Sequence, residues 1–249
     1  MVLQKDMVRE SREEWNIYEN VFDKFTIRTL WKLSSKGLFA DLESPIAIGK
    51  ESNVFLARDK NDNPLIVKIY RLENCNFNKM YFYIKNDPRF LGLENRRRKV
   101  IFKWVQREYR NLLKAREKIR VPTPIEFKDN VLVMEMIGEG HPSPVLKDKD
   151  PEDPERFMED ILDNMEDLME TGVIHGDLSH FNIINYDEKP VFIDFSQGTS
   201  IKASEAPKLL KRDIKNIYKF FKRHTDKEKQ EIEERMFTKL EQLRESDKF

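Results

Sequence analysis

The chain has 249 residues, 39% hydrophobic and 36% charged, with zero formal net charge, so it can bury a substantial core and is predicted to form two lobes or one compact domain. Its single cysteine, Cys75, excludes an internal disulfide and a cysteine-built metal cluster, and we assign it no role. No apolar run approaches the ~20 residues of a membrane-spanning helix and no basic, apolar leader opens the sequence, so we expect a cytoplasmic protein that makes no membrane contact.

The first 40 residues are predicted to be a helical extension. Aromatic residues recur three or four positions apart from Trp15 to Phe25, which is the spacing of one helix face. In "TIRTLWKLSSKG", Thr26 is predicted to cap a helix and Gly37 to end it.

Short alternating segments, typical of β-strands, come next, and an irregular segment follows them. Residues 72–95 carry aromatics, Asn, Pro and Gly without periodicity, so we predict a long loop there. The turn formers "KNDN" separate the second and third strands. The three antiparallel strands are predicted at "PIAIGKE", "NVFLARD" and "PLIVKIY".

A helix is predicted from about Arg96 to Lys118, and it ends before "VPTP". Two more strands, "PIEFK" and "VLVMEMIG", flank a "DN" turn. The remainder is mostly helical, with two short strands "NIINY" and "PVFIDF" and two charged helices at the end. The first of its helices, "DPERFMEDILDNMEDLMETG", has an apolar stripe of Phe157, Ile161, Met165 and Leu168 and ends at Gly172.

The zero net charge hides two segments of opposite sign. Residues 96–120 hold eleven Lys or Arg against two acids, and residues 148–170 hold eleven acids against two Lys or Arg. The basic segment could attract phosphate backbones, although solvated faces of two helices would show the same composition.

One carboxylate is predicted to face the core. Glu108 completes the spacing of an apolar helix stripe that includes Val105 and Leu112, and a buried unpaired carboxylate is costly enough to require a cation. Lys68, in the interior strand "LIVKIY", is an equally unusual charge and the natural partner. Such a pair places an ammonium where it can meet the phosphates of ATP; the alternative is that Lys68 extends to water.

A polar turn, "VIHGDLSHFNII", has an Asp-to-Asn spacing that phosphoryl-transfer enzymes use; the alternative, for this pair judged alone, is that the two residues cap turns. Asp177 and Asn182 stand five residues apart, and Asp194 follows twelve residues later after the apolar run "PVFID". Oxygen ligands of this kind suit Mg²⁺, so we predict an orienting or basic role for Asp177 and metal binding for Asn182 and Asp194. His175 is predicted to order the turn by hydrogen bonds.

The segment "IGKESNVFLA" lies where a phosphate-covering loop belongs, immediately before the lysine strand. It has one glycine, Gly49, so it is not a three-glycine loop. Its backbone amides, Lys50 and the Ser52 hydroxyl could contact phosphate, and an ordinary hairpin is the alternative.

These residues resemble the RIO family of atypical protein kinases, in particular its Rio-one branch. The resemblance runs from about residue 44 to 200. It rests on the ordered motifs "GKESNVFLA", "VKIY", "KWVQREYRNL", "PTPI", "NVLVMEMIG", "HGDLSHFNII" and "FIDFSQG".

The resemblance implies an α+β, two-lobed protein-kinase-like fold, with ATP and Mg²⁺, or Mn²⁺ in its place, between the lobes. We expect an N-terminal extension at 1–40, an N-lobe at 41–138 and a C-lobe at 139–249. By motif position, Asp177 would be the catalytic aspartate and Asp194 a metal ligand and a phosphate acceptor through an aspartyl-phosphate. The nucleotide-binding set would be Gly49, Lys50, Ser52, Lys68, Glu108, Met134, Glu135 and Ile137, with Asn182 on the metal.

The resemblance also implies a serine kinase and ATPase that matures the small ribosomal subunit and contacts its precursor rRNA through residues 96–120. Two departures are visible: His180 replaces an acidic residue, and residues 75–122 hold no Ser or Thr for autophosphorylation. Two other functions remain open. One is a small-molecule phosphotransferase of the aminoglycoside kind, and the other is a nucleotide-sensing module that binds pre-ribosomes with vestigial catalysis.

Overall fold

The structure is a computed structural model that describes residues 22–73, 75–85 and 96–246. It is α+β, as predicted, with a five-stranded antiparallel sheet in its first half and mainly helices in its second. Predictions for residues 1–21, including the helical spacing from Trp15, lie outside the described residues. None of the helices in the described part of the chain is long and apolar enough to cross a membrane.

Helix α1 (Lys24–Ser35) begins one turn earlier than the sequence suggested. Asp23 caps it, because its carboxylate accepts hydrogen bonds from the backbone N–H groups of Phe25 at 2.9 Å and Thr26 at 3.1 Å. Thr26 was therefore wrongly predicted as the cap; it is buried in the first turn of the helix. Gly37, at φ +79°, follows the helix as predicted.

The five predicted strands form one sheet. They are β1 (Leu42–Ile48), β2 (Ser52–Arg58), β3 (Pro64–Tyr70), β4 (Pro124–Lys128) and β5 (Val131–Glu135). Their spatial order is β1–β2–β3–β5–β4, so β3 lies at the centre with a strand on each side. Lys68 is paired with Val54 of β2 and with Leu132 of β5. A lysine at this central position has no direct route to water along the sheet.

Two helices follow β3. The loop predicted at 72–95 was wrong in part, because α2 (Phe77–Lys85) lies inside it; residues 74 and 86–95 are outside the described residues. Helix α3 (Arg97–Ala115) lies within the predicted range and packs against α2, with the rings of Tyr83 and Trp104 5.9 Å apart. This aromatic contact buries a face of a helix too short to be stable alone.

The second half of the chain begins with α4 (Pro154–Glu170). Asp153 caps it by accepting a hydrogen bond from the Arg156 N–H at 3.1 Å. The apolar stripe predicted for this helix, Phe157, Ile161, Met165 and Leu168, is buried. The remaining elements are β6 (Val173–Ile174), β7 (Ile183–Tyr186), β8 (Lys189–Phe192), a 3₁₀ turn (Phe195–Gln197), β9 (Thr199–Ser200), α5 (Ala206–Phe221) and α6 (Lys229–Glu245).

Two short two-stranded sheets in this half bring the polar turn and Asp194 together. β7 pairs with β8 through a tight turn, and β6 pairs with β9. The Ile193 N–H donates to the carbonyl of Asn182 at 3.0 Å, so the residues after β6 lie beside those after β8. One hydrophobic core runs from the inner face of α3 into α4 and α5 and joins the two halves. The boundaries at residues 40 and 138 stay a prediction.

Candidate active site

Lys68 of β3 and Glu108 of α3 form the buried ion pair that the sequence predicted. The Lys68 Nζ lies 2.7 Å from the Glu108 Oε1, and the two residues are 5% and 1% exposed. The Tyr70 hydroxyl donates to the second oxygen of Glu108. Both carboxylate oxygens are therefore satisfied, which is the condition for a buried charge to be tolerated. The alternative in which Lys68 extends to water was wrong.

The same ammonium also contacts Asp194 in the second half of the chain. Lys68 Nζ lies 3.0 Å from Asp194 Oδ1, so one cation links β3, α3 and the segment after β8. Desolvation raises the pKa of Asp194, but Lys68 and the Ser196 side chain outweigh it and lower that pKa to about 2. Asp194 has φ +61°, a strained conformation for a residue with a Cβ. Such strain is common at functional sites.

Helix α3 holds Asp194's segment in place through two buried polar side chains. The Arg107 Nε donates to the carbonyl of Gly198 at 3.0 Å. The Asn111 Nδ2 donates to the carbonyls of Phe195 at 2.9 Å and Gly198 at 2.8 Å. Since Glu108 lies on the same face of the helix, these contacts fix Glu108 and Asp194 relative to each other.

The turn that carries Asp177 has a backbone shape that only glycine adopts easily. Gly176 has φ +76°, and a Cβ on it would lie 2.9 Å from the carbonyl oxygen of Gln197. His175 orders the turn as predicted: its Nδ1 accepts from the Asp177 N–H at 3.3 Å, and its Nε2 lies 2.9 Å from the carbonyl of Ile193. Burial lowers the pKa of His175, which favours the neutral ring that this pattern requires.

Asp213 of α5 supports the same turn from below. Its carboxylate is buried and accepts from the backbone N–H groups of Gly176 at 2.8 Å and Leu178 at 2.9 Å. Burial raises the pKa of Asp213 to about 7, and the two N–H donors oppose that rise. Both N–H groups flank Asp177, so Asp213 fixes the backbone on either side of it.

The carboxylate of Asp177 is held by two side chains. The Gln197 Nε2 donates to one oxygen, and the Arg212 Nη2 lies 3.5 Å from the other. Arg212 also donates to the Gln197 Oε1 at 3.2 Å, which fixes the direction of the amide. Asn182 donates its Nδ2 to the backbone carbonyl of Asp177 at 2.9 Å, so its side-chain carbonyl remains for another ligand.

A cavity of about 560 Å³ lies between the sheet and the helical half. Of the predicted set, Gly49, Ser52, Lys68, Glu108, Met134, Glu135, Ile137, Asn182 and Asp194 line it. Exposed Lys50 and the Asp177 carboxylate do not. The structure thus brings nine predicted residues to one cavity, and their individual roles stay predictions.

The segment after β5 lines the cavity at Ile137. Ile137 is buried, and its N–H makes no hydrogen bond within the part of the chain that the structure describes, although its carbonyl accepts from Ser143 at 2.9 Å. A backbone donor of this kind at a cavity wall is available to a ligand acceptor. Arg120 forms a bidentate pair with Glu135 and holds its pKa at about 2 despite burial. This pair fixes the position of the Glu135 side chain.

The predicted phosphate loop is a tight turn between β1 and β2. The Gly49 N–H donates to the Ser52 carbonyl at 2.9 Å, and a Cβ on Gly49 would also lie 2.9 Å from that oxygen. The turn is a hairpin, as the alternative supposed, yet Gly49 and Ser52 also face the cavity. The hairpin and the phosphate-binding role are therefore compatible.

Asn182 and Asp194 are the oxygen donors available for a metal. Among the described residues there is no cluster of three or more His, Cys, Asp or Glu side chains able to hold an ion. This sparse donor set fits Mg²⁺, which is commonly held by one or two protein oxygens together with phosphates and water. It does not fit a zinc or calcium cage.

A family model described as the RIO domain matches residues 53–235, more than half of the chain. The chain belongs to the RIO family of atypical serine/threonine protein kinases. It is 40% identical over 225 residues to the RIO-type serine/threonine-protein kinase Rio1 of Methanocaldococcus jannaschii. The aligned residues cover 88% of this chain and 77% of that relative. Rio1 of Haloferax volcanii is 36% identical over 213 residues, which is 85% of this chain and 73% of the relative.

The fold of this RIO kinase is also found in solved structures. The Rio2 kinase–ADP/Mg²⁺–phosphoaspartate complex from Chaetomium thermophilum matches with a TM-score of 0.65 over 89% of this chain and 71% of that one. At 22% identity the match shows the shared fold alone. Family and fold confirm the predicted Rio-one resemblance and the two-lobed kinase architecture, and they argue against an aminoglycoside-type phosphotransferase.

Sequence reasoning missed four polar residues of the RIO kinase site. Tyr70, Gln197 and Arg212 gave no signal, because their contacts join segments far apart in the chain. Asp213 did give one: it lies on an apolar helix stripe with Leu210, Ile214 and Ile217, all buried. As for Glu108, a carboxylate on an apolar helix stripe predicts a buried group that needs polar partners.

Proposed function

We propose that this RIO kinase transfers the γ-phosphate of ATP to protein serine or threonine and to water, with Mg²⁺ as cofactor, during small-ribosomal-subunit maturation. The contact of Lys68 with both Glu108 and Asp194 carries the proposal. It joins the sheet, α3 and the helical half at the wall of one cavity. Such a cation between two carboxylates is placed to exchange Asp194 for phosphate oxygens when nucleotide is bound.

Nucleotide would lie with adenine against the segment after β5 and its phosphates toward Lys68. The N–H of Ile137 would donate to the adenine ring, and Met134 would line the inner end of the cavity. Gly49 and Ser52 would cover the phosphates. Bound Mg²⁺ would neutralise charge on the transferred phosphate.

Asp177 would orient the attacking hydroxyl or water. Its carboxylate already accepts from Gln197 and lies near Arg212, so it is held in a fixed direction. A carboxylate fixed in this way can accept a hydrogen bond from the attacking group and aim it at the γ-phosphate, which is the positioning that a loose phosphoryl-transfer transition state needs.

We also propose that Asp194 accepts phosphate. A carboxylate oxygen of Asp194 would bond to the γ-phosphorus while the bond from that phosphorus to the β–γ bridging oxygen breaks and ADP leaves. Water would then hydrolyse the acyl phosphate, release inorganic phosphate and restore the carboxylate. The phosphoaspartate named for the Rio2 complex supports this step, as does the low pKa of Asp194, which keeps it ionised.

Acid quenching of the protein with γ-labelled ATP tests this intermediate. We expect a protein-bound label that hydroxylamine removes, because acyl phosphates react with hydroxylamine and phosphoserine does not. The label should vanish in Asp194→Asn and persist in Asp226→Asn, an exposed aspartate outside the site. A hydroxylamine-resistant label on the wild type would rule out the aspartyl-phosphate while leaving serine transfer intact.

The basic N-terminus of α3 supports contact with precursor rRNA. Arg96, Arg97, Arg98 and Lys99 are exposed, and the first turn of the helix has no acidic residue. Positive charges at a helix N-terminus oppose the helix dipole, at roughly 0.3–1 kcal/mol each. They therefore do not stabilise the helix through its dipole, and a cluster of exposed cations of this kind attracts phosphate backbones.

Reversal of Arg96, Arg97 and Arg98 to Glu is expected to weaken binding to small-subunit precursor particles and to flatten its salt dependence. Fewer cations release fewer counterions, so the slope of log affinity against log salt should fall by roughly 0.9 for each lost phosphate contact on a duplex. Filter binding at several salt concentrations would measure this slope. Arg97 also donates to the Glu73 carbonyl, so the melting temperature should be recorded in parallel.

A matched control reverses three exposed lysines elsewhere, Lys60, Lys208 and Lys215, and changes net charge equally. Equal slopes for the α3 variant and the wild type would discard this surface. The vestigial-catalysis alternative is separated by particle release: release with a non-hydrolysable ATP analogue at the rate seen with ATP would favour a nucleotide switch.

A further inference from the structure

A second groove lies on the helical half, outside the nucleotide cavity. It encloses about 540 Å³ between the start of α4 and the last two turns of α5. Its floor is apolar, with Pro151 and Phe221 buried and Pro154 and Phe220 along its sides. We call it the α4–α5 groove.

Aromatic rings connect this groove to the nucleotide cavity. The ring of His180 lines the groove and lies 4.2 Å from the ring of Phe181, which lines the nucleotide cavity. On the groove side, His180 stacks on Phe220 with ring centroids 5.0 Å apart and planes at 18°. A segment in the groove would lie next to the site of phosphate transfer.

The rim of the groove carries an excess of positive charge. Lys219, Lys222 and Arg223 are exposed, and within the described parts of the chain none of them forms an ion pair with a carboxylate. Asp150 is the one acidic residue among the groove's lining residues. Three such cations around an apolar floor are complementary to a ligand that combines acidic and apolar side chains.

A polypeptide fits this groove better than a nucleic acid. Proteins that bind single-stranded RNA present open aromatic faces on which bases stack. Here the faces of His180 and Phe220 are used against each other, and Phe181 covers His180 further. The apolar floor and separate cationic rim instead match an extended chain with an apolar side chain and neighbouring carboxylates.

We propose that the α4–α5 groove binds an acidic segment of the protein whose serine or threonine receives the phosphate. This inference rests on the proposed kinase function and adds the substrate class: acidic proteins, held by Lys219, Lys222 and Arg223 beside the aromatic wall.

The test compares two serine peptides that differ only in charge. One has Glu and Asp around the serine, and the other has Gln and Asn at the same positions. Affinity is measured by fluorescence anisotropy, and transfer from labelled ATP gives KM and kcat. We expect the acidic peptide to bind at least tenfold more tightly. Lys219→Glu with Arg223→Glu should raise its KM about tenfold or more at similar kcat, because two attractions become repulsions.

Lys208→Glu with Lys215→Glu is the matched control, with the same charge change on α5 but outside the groove. Equal affinity of the wild type for the two peptides would overturn the proposal. So would an equal loss of affinity for the acidic peptide in the two double variants. Displacement of the acidic peptide by oligouridylate at lower concentration than by the unlabelled peptide would overturn it in favour of an RNA site. ATP hydrolysis by the wild type without peptide reports the proposed function separately, and anisotropy decides the groove even if that hydrolysis is absent.

Discussion

Asp177→Ala is expected to lower both phosphate release and phosphate transfer by about 10²- to 10⁴-fold, the usual contribution of a positioned acid–base group. ATP affinity should change little, because the Asp177 carboxylate does not line the nucleotide cavity, whereas Lys68 and Ile137 do. Calorimetric titration with ATP and Mg²⁺ gives the affinity, and release of labelled phosphate gives the rate. Unchanged turnover would exclude Asp177 as the orienting group.

The structure adds a graded control through Gln197, whose Nε2 donates to the Asp177 carboxylate and whose Oε1 accepts from Arg212. Gln197→Leu should reduce kcat by less than Asp177→Ala, with little change in the KM for ATP. The double variant should be no slower than Asp177→Ala alone, since the amide would have nothing left to orient. Additive losses would show that Gln197 has a separate role. Asp226→Ala controls for loss of one aspartate.

Much of the fold was predictable because its signals are local. Strand alternation and helix stripes depend on neighbours within a few residues, and they gave all five strands of the sheet together with α3 and α4. Helix α2 was missed because its nine residues mix aromatics with Asn and Lys. Its apolar residues Met80 and Ile84 are buried in the core that α3 also forms. The segment is a helix because it packs against α3, and the local sequence carries no pattern that predicts such a contact.

The start of α1 illustrates a similar limit. Asp23 and Thr26 are both good capping residues three positions apart, so the sequence alone favours neither strongly. Tertiary contacts determine which residue is the cap. The Thr26 hydroxyl is buried, where it accepts a hydrogen bond from the Asn130 Nδ2 at 2.9 Å. The cap therefore falls one turn earlier.

The site residues that could be predicted from the sequence were charged residues within apolar segments. Lys68 and Glu108 each interrupt an apolar pattern, so the amino-acid sequence by itself implies that each needs a partner of opposite charge. Gln197 and Arg212 interrupt nothing, and their role follows only from the fold that brings them to Asp177. Long-range polar contacts such as those of buried Gln197 and half-buried Arg212 leave no mark on the local sequence.

Glu108→Leu is expected to cost stability and activity together. It leaves the buried Lys68 with Asp194 as its remaining carboxylate and removes the acceptor of the Tyr70 hydroxyl. Breaking a buried pair from one side costs about 3–5 kcal/mol, and the remaining Asp194 contact places this change near the lower figure. Urea unfolding measures the stability, and the KM for ATP should rise as Lys68 loses its position.

The same three buried groups allow stability and catalysis to be separated. A triple variant, Lys68→Met, Tyr70→Phe and Glu108→Leu, removes both charges and the hydroxyl, so none of the three positions keeps a buried polar group that has lost its partner. Apolar replacements of a whole buried pair are often neutral or stabilising, so the triple variant should recover most of the lost free energy of unfolding. It should remain unable to transfer phosphate, since no cation then faces the phosphates from β3. If transfer returned with stability, the pair would be structural and the phosphate-positioning role of Lys68 would be wrong.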